Sequence, residues 1–193
     1  PIYKPKGQRE RSIPVALGSG LDTQMGLKAE SVFGTAVVVD RFNYINSESL
    51  KADVGKIESP HLGTIVRKTT QVKTYISGAG GDIAQPFMNK GMGVILNQAF
   101  GTSVVAQVGA TAEWTATHTL DLTNGKRGRS ATIQIGRASV DGTVRAFTYE
   151  GCKCVGFTIV LDEMGLLVLT TTWVCEDQST ATALATASYA TNL

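Results

Sequence analysis

Charge is scarce in this sequence: Asp, Glu, Lys and Arg supply 18% of its 193 residues, against the ~25% of an average soluble protein. The apolar share of 42% is ordinary, so the chain is not a disordered one. Gly, Ser, Thr and Ala stand in place of the missing charge, a composition that suits strands, turns and partner-covered surface. Long apolar runs are missing too. No window reaches the ~18 residues of a membrane span and no secretory segment opens the sequence, so neither a membrane-spanning nor a signal-directed chain is expected. One-signed charge is also lacking, since 18 basic and 16 acidic residues leave +2, which argues against a protein built to grip phosphate tightly. Cysteine is rare and odd in number, at Cys152, Cys154 and Cys175, and no Asn-x-Ser/Thr acceptor occurs. A reducing, intracellular folding environment is expected.

Catalytic signatures are equally hard to find. The clusters Gly18-Ser19-Gly20 and Gly78 to Gly81 lack G-x-G-x-x-G spacing, and Gly125-Lys126 is followed by Arg127, so no phosphate-cradling motif is present. Cys152 and Cys154, two apart, point to one face of a strand, where Cys175 and His118 could complete a metal set; core packing and a disulfide fit the same spacing, and packing is the ordinary reading. His118 shares an apolar strand face with Trp114 and reads as a core histidine, while His61 follows Pro60 in a loop and is expected to face solvent. The adjacent Asp162 and Glu163 diverge instead of facing each other across a substrate, so they read as turn solvation. No catalytic residue, metal site or cofactor is expected, and the chain is not expected to be an enzyme.

What is there is a succession of strands. Residues 1–20 form a Pro- and Gly-rich arm carrying Lys4, Lys6, Arg9 and Arg11. A short helical turn is read over Gln24–Ser31, then strands over Val37–Ile45 and Ser49–Ile57. Thr64–Ile76 is β-prone but polar on both faces, so one core cannot lock it and it should pair outside its own subunit. Gly78–Asp82 reads as a loop, and Pro86 opens a helix to about Phe100, with Met88, Met92, Ile95 and Ala99 as its stripe and Gly101 as its stop. Strict alternation puts Ala112, Trp114, Ala116, His118, Leu120 and Leu122 on the buried face of a half-buried strand. Asn124-Gly125 and Asp141-Gly142 punctuate hairpins around a strand at Ala131–Val140, and strands follow at Val144–Tyr149, Cys152–Leu161 and Leu166–Val174. Lys126, Arg127 and Arg129 form a basic loop that suits a solvated tip, an acidic partner subunit or nucleic acid, but no interleaved aromatics offer a base-stacking platform. The Thr/Ala-rich end from Asp177 is expected to be a flexible tail or to continue into a sequel absent here. The fold class expected is mainly β (α+β): an antiparallel β-sandwich or barrel with one flanking helix, divided into an arm (1–20), a domain (21–176) and a tail (177–193).

Four segments, GLDTQMGLKAESVFG from Gly20, RFNYINSESLKADVGKIES, FMNKGMGVILNQAFG and FTYEGCKCVGFTIVLDEMGLLVLT, occur in this order up to about Val174. Together they resemble the major tail tube proteins of long-tailed, non-contractile (siphovirus-type) bacteriophages. The resemblance implies hexameric rings stacked into a hollow tube, with a tape-measure protein in the lumen, terminator and tip proteins at the ends, and double-stranded DNA in transit. It implies a virion component made in the host bacterial cytoplasm, with no membrane partner. It further implies a long inter-subunit hairpin at about 47–76, which would place Lys51, Asp53, Lys56, Arg67, Lys68 and Lys73 at inter-ring or inter-subunit contacts, together with Lys4, Lys6, Arg9 and Arg11 of the arm. An acidic lumen is implied as well, with Asp121, Asp141, Asp162 and Glu163 as candidates. Rival readings are a secretion-type tube, a capsid-decorating β-sandwich, or a small carbohydrate- or nucleic-acid-binding module using Trp114, Trp173 and the Lys126–Arg129 loop.

Overall fold

Residues 22–58, 72–121, 123, 129–161 and 165–189 are described by a computed structural model of the chain. The strands are β1 (Gln24–Ala29), β2 (Arg41–Asn43), β3 (Ser47–Glu48), β4 (Lys51–Glu58), β5 (Val72–Pro86), β6 (Gly101–Gln107), β7 (Trp114–Leu120), β8 (Ala131–Ala138), β9 (Val144–Leu161), β10 (Leu167–Cys175) and β11 (Asp177–Ser179), with a helix α1 (Gly93–Phe100) between β5 and β6. Nine strands form one antiparallel sheet in the order β2-β1-β8-β9-β10-β5-β3, with β4 added on β5 and β11 on β9; β6 and β7 pair only with each other among the described residues. The sheet curls into a half-barrel. Met25, Leu27, Ile133, Ile135, Ile83, Leu169 and Trp173 fill its inside, and α1 adds Ile95 and Ala99. The expected mainly-β class with one helix is thus what the chain forms.

The strand β9 organises this curl. Its first part, Val144–Cys152, pairs with β8 and its second part, Lys153–Leu161, pairs with β10. Between them β9 carries one extra residue, because Ala131 faces Cys152 while Ile133 faces Tyr149. Gly151, at φ +63°, takes the left-handed conformation that such a bulge requires. Glu150-Gly151 therefore bends one continuous strand of 18 residues instead of separating two.

Four further expectations are corrected. Gln24–Ala29 is a strand and not a helical turn, since pairing with β2 on one side and β8 on the other outweighs local propensity. Gly78–Asp82 lies inside β5. Its glycines admit close neighbours: a Cβ on Gly81 would sit 2.5 Å from the Ser49 carbonyl oxygen, and one on Gly80 2.8 Å from that of Trp173. The helix starts at Gly93 and not at Pro86, because Pro86 closes β5 opposite Val168 and Gly91 turns left-handed at φ +81°. The Thr/Ala-rich end is docked across β1 and β8 on the side away from the core. There Gln134 accepts from the Ala185 N–H (2.8 Å) and donates to the Ala183 carbonyl (3.0 Å), and the Tyr189 ring stacks on Tyr44 at 4.4 Å.

Two polar clusters tie the sheet together across its curl. Arg137 of β8 forms a two-pronged ion pair with Glu48 of β3 (2.8 and 2.7 Å) and also donates to the Leu50 carbonyl, which accepts in addition from the Tyr149 hydroxyl (2.9 Å). The Glu48 contact holds the Arg137 guanidinium above its ordinary range, and burial pushes the Tyr149 phenol up. Glu30, just after the end of β1, is 8% exposed. One of its oxygens accepts from Thr132 Oγ1 (2.8 Å) and the Gly151 N–H (3.0 Å), the other from Ser130 Oγ (2.6 Å) and the Gly34 N–H (3.1 Å).

Candidate interaction surfaces

Half of the curled sheet reads, across its strands, β9-β10-β5-β4, and both outer strands of that half have an unpaired side among the described residues. At one end this is Lys153–Leu161 of β9, which has left β8 behind at the bulge. At the other end it is β4, whose eight residues pair only with β5. Unpaired strand edges are rows of unmet N–H and C=O groups that template further pairing. Exposed apolar side chains stand along both edges: Val155, Phe157, Ile159, Val160 and Leu161 on β9, and Val54 and Ile57, between the charged Lys51, Asp53 and Lys56, on β4.

The ribbon formed by β4 and the first half of β5 projects beyond the sheet, because β10 stops pairing at Ala79 opposite Cys175. A register shift between Asp53 and Val54 sets the two faces beyond it. Val54 and Lys56 share one face with Ile76 and Thr74, and Gly55 and Ile57 share the other with Tyr75 and Lys73. The Tyr75 ring lies directly over Gly55, where a Cβ would come within 2.5 Å of it. Lys51, Asp53, Lys56 and Lys73 are thus brought onto one exposed ribbon. Arg67 and Lys68, like Lys4, Lys6, Arg9 and Arg11, lie outside the described residues.

On the core-averted side of β10 and its neighbours stand Thr158, Val160, Val168, Thr170, Thr172, Val174 and Ala84, with Asp82 the one acidic side chain among them. This surface is small and β-branched along most of its length, with Lys153 opposite Val174 and Lys51 opposite Gly80 at one end. Asp82 is not among the acids expected at a lumen, which are Asp121, Asp141, Asp162 and Glu163. Asp141 accepts from the Thr143 N–H (3.0 Å) and Asp121 from the Thr123 N–H (3.1 Å), both capping turns, while Asp162 and Glu163 lie outside the described residues. The Thr143 N–H, and then Arg145, hold the Asp141 carboxyl below its usual range.

The hairpin β6–β7 departs from the half-buried strand that alternation implied. Trp114 is 64% exposed and Val104, Val105 and Leu120 are exposed with it. In β7 only His118 is half-buried, tilted against Phe100 at 6.4 Å, which in turn meets Phe157 at 5.0 Å, while in β6 burial is confined to Gly101–Ser103 beside the helix. Alternation tells which residues share a face, not whether anything covers it. Arg129 is no free loop tip: it donates to Asn97 Oδ1 (2.9 Å) on α1. Lys126 and Arg127 lie outside the described residues. Trp173, named as a ligand platform in the binding-module reading, is instead buried in the core with its indole N–H on Thr171 Oγ1 (2.8 Å).

A three-thiolate site with His118 is not assembled. Cys152, Cys154 and Cys175 are buried thiols in the main sheet whereas His118 belongs to the separate hairpin, and among the described residues no group of His, Cys, Asp and Glu could hold a metal ion. Among the described residues no helix is long and apolar enough to cross a membrane.

Residues 20–193 match the family described as Phage tail tube protein. Two solved structures are similar at low identity. One is the sheath-tube complex of an extracellular contractile injection system in its extended state, 11% identical, covering 89% of this chain and 92% of that one with a TM-score of 0.39. The other is a type six secretion system protein, 9% identical, covering 78% and 77% with a TM-score of 0.35. No curated protein matches the chain.

Proposed function

The chain belongs to the phage tail tube protein family, a structural and non-enzymatic one, and from that premise we propose that it closes into rings by pairing the β4 edge of one copy with the β9 edge of the next. The observation that carries this is the pair of unpaired, apolar-flanked edges at opposite ends of β9-β10-β5-β4. Two different edges meeting make a head-to-tail contact, which repeats around an axis until it closes. In this reading six copies form a ring, and ring closure removes the open edges that would otherwise aggregate.

The core-averted face of the same strands then lines the bore. A wall mainly of Thr, Val and Ala, with Asp82 among them and the cations Lys153 and Lys51 confined to one end, offers double-stranded DNA little to hold it, which suits passage during genome delivery. The projecting β4–β5 ribbon, with Lys51, Asp53, Lys56 and Lys73, reaches the next ring, joined there by Arg67, Lys68 and the basic arm. Tape-measure, terminator and tip proteins complete the tail.

Electron microscopy and light scattering of the purified chain over a concentration series test the proposal. Rings or tubes are expected; a monomer at every concentration overturns it. Successive N–H groups of an edge strand point alternately inward and outward. Of Lys51→Pro and Ala52→Pro, which stand where β5 still pairs with β10, one therefore removes only an outward N–H, leaving the β4–β5 ladder intact while blocking ring closure. Full assembly by both variants would refute the edge pairing specifically.

A further inference from the structure

Cys152, Cys154 and Cys175 are three buried free thiols. The register of β9 and β10 sets two of them face to face: Trp173 pairs with Cys154 and Val174 with Lys153, so the next position brings Cys175 opposite Cys152. Directly opposite residues of an antiparallel ladder have Cα atoms about 4.5–5.5 Å apart, inside the range of about 4.4–6.8 Å that a disulfide spans. Both side chains turn to the core side of the sheet, as Trp173 does, and the two thiols are within hydrogen-bonding reach of each other. Cys154 is engaged elsewhere, its Sγ 3.4 Å from the Gly156 carbonyl oxygen. The facing pair lies at the Gly151 bulge, where β9 passes from β8 to β10 and the chain leaves β10 for β11.

We propose that Cys152 and Cys175 are an oxidation site, free thiols as folded and joined as a disulfide when the protein meets a small peroxide. One thiolate attacks a peroxide oxygen; the O–O bond breaks, leaving a sulfenic acid and releasing hydroxide, which takes up the thiol's proton as water. The second sulfur then displaces the sulfenic hydroxyl, which leaves as water with that sulfur's proton, and the S–S bond forms. Two thiols and one hydrogen peroxide thus give one disulfide and two waters, with two electrons passing from sulfur to oxygen. Burial holds the Cys152 thiol well above its ordinary range, so the reaction is slow and suits a peroxide better than a bulky disulfide donor. The bond staples β9 to β10 at the bend that both halves of the sheet share.

The sequence makes the test tractable. Trypsin cuts after Lys153, parting Cys152 from Cys154, while no Lys or Arg follows up to Leu193, so Cys154 and Cys175 stay in one peptide. The purified protein is treated with hydrogen peroxide, alkylated after denaturation, digested and weighed with and without reductant. The expected product is a reducible cross-link between residues 146–153 and 154–193 with one alkylated cysteine, retained in Cys154→Ser and lost in Cys175→Ser. The thermal midpoint of the oxidised wild type and of Cys154→Ser should rise by several degrees and fall back on reduction. A cross-link that persists in Cys175→Ser, one between chains, or sulfinic acid without a cross-link overturns the proposal. Should Cys175→Ser not fold, an alkylated, uncross-linked Cys175 in oxidised Cys154→Ser overturns it equally.

Discussion

Replacing Glu30 by Gln changes one oxygen to an NH2 group and leaves the shape alone, which makes it a sharp probe of the cluster at the end of β1. Each Glu30 oxygen faces one hydroxyl and one backbone N–H: Thr132 and Gly151 on one side, Ser130 and Gly34 on the other. A hydroxyl can rotate to accept from an amide, but a backbone N–H cannot. Whichever way the new side-chain amide turns, its NH2 therefore confronts either the Gly151 or the Gly34 N–H, and that donor loses its acceptor in a nearly dry place. An unsatisfied buried donor costs about 1–3 kcal/mol, and the surviving bonds lose charge assistance worth about 1 kcal/mol more. Relief of the carboxylate's desolvation offsets part of this, so the expected net loss is about 2–3 kcal/mol. Thr132 would feel the change as well, since its hydroxyl accepts from the Val37 N–H (3.0 Å) while donating to Glu30. The assay is urea denaturation of dispersed subunits at pH 7, reading the midpoint at unchanged slope. A loss under about 0.5 kcal/mol, within the range of an ordinary surface substitution, would refute the account of this cluster.

Other outcomes follow from the same reasoning. Gly81→Ala places a Cβ 2.5 Å from the Ser49 carbonyl oxygen at φ +152°, so a loss of about 2–4 kcal/mol is expected, with faster amide exchange where β3 and β4 meet β5. Arg137→Met leaves Glu48 without its partner; because the pair is partly solvated, at 30% and 14% exposure, the expected cost of about 2 kcal/mol falls below the ~3–5 kcal/mol of a fully buried pair. Burial, then Asp177, Glu30 and Glu176, raise the Glu150 carboxyl above its ordinary range. A carboxyl raised in the folded state favours folding when protonated and opposes it once ionised, so Glu150→Gln should stabilise at pH 7 by less than about 1 kcal/mol after solvent screening, a gain that disappears below the ordinary carboxyl range. Thermal melts of both proteins at pH 7 and pH 3 check the sign.

Strands whose apolar residues are buried beside their neighbours were legible, as at Ala131–Ala138, and so was the turn at Asp141-Gly142, where the Ser139 N–H meets the Thr143 carbonyl at 2.8 Å. The glycines misled in β5 and β9 because the sequence does not say whether a glycine serves a turn, a bulge or a close approach; only the neighbours Ser49, Trp173 and Glu30 decide. The tail misled because its anchors are single residues, Gln134, Gln24 and Tyr189, with no periodicity to announce them. The helix came out short because a left-handed Gly91 interrupts a continuous apolar stripe. At the candidate surfaces, the exposure of Lys73–Ile76 on both faces agrees with a run that is polar on both sides, but β6 was missed altogether: Gly101 reads as a helix stop, and it is also the first residue of a strand. The exposed Trp114 carried a misleading alternation, since burial belongs to the assembled fold and not to the strand.

The long strand β9 has a mechanical consequence. Since it serves as a rung of both halves of the sheet, a load applied to the β9 edge by a neighbouring subunit is carried along one backbone to β8 and β1 and is not absorbed at a loop. The path has two joints among the described residues, the Gly151 bulge clamped by Glu30 and a second extra residue at Val155, where Trp173 faces Cys154 and Thr172 faces Gly156. A tube made of such subunits would bend by flexing within each wall element, with its seams held fixed, and stiffening those joints would stiffen the whole filament.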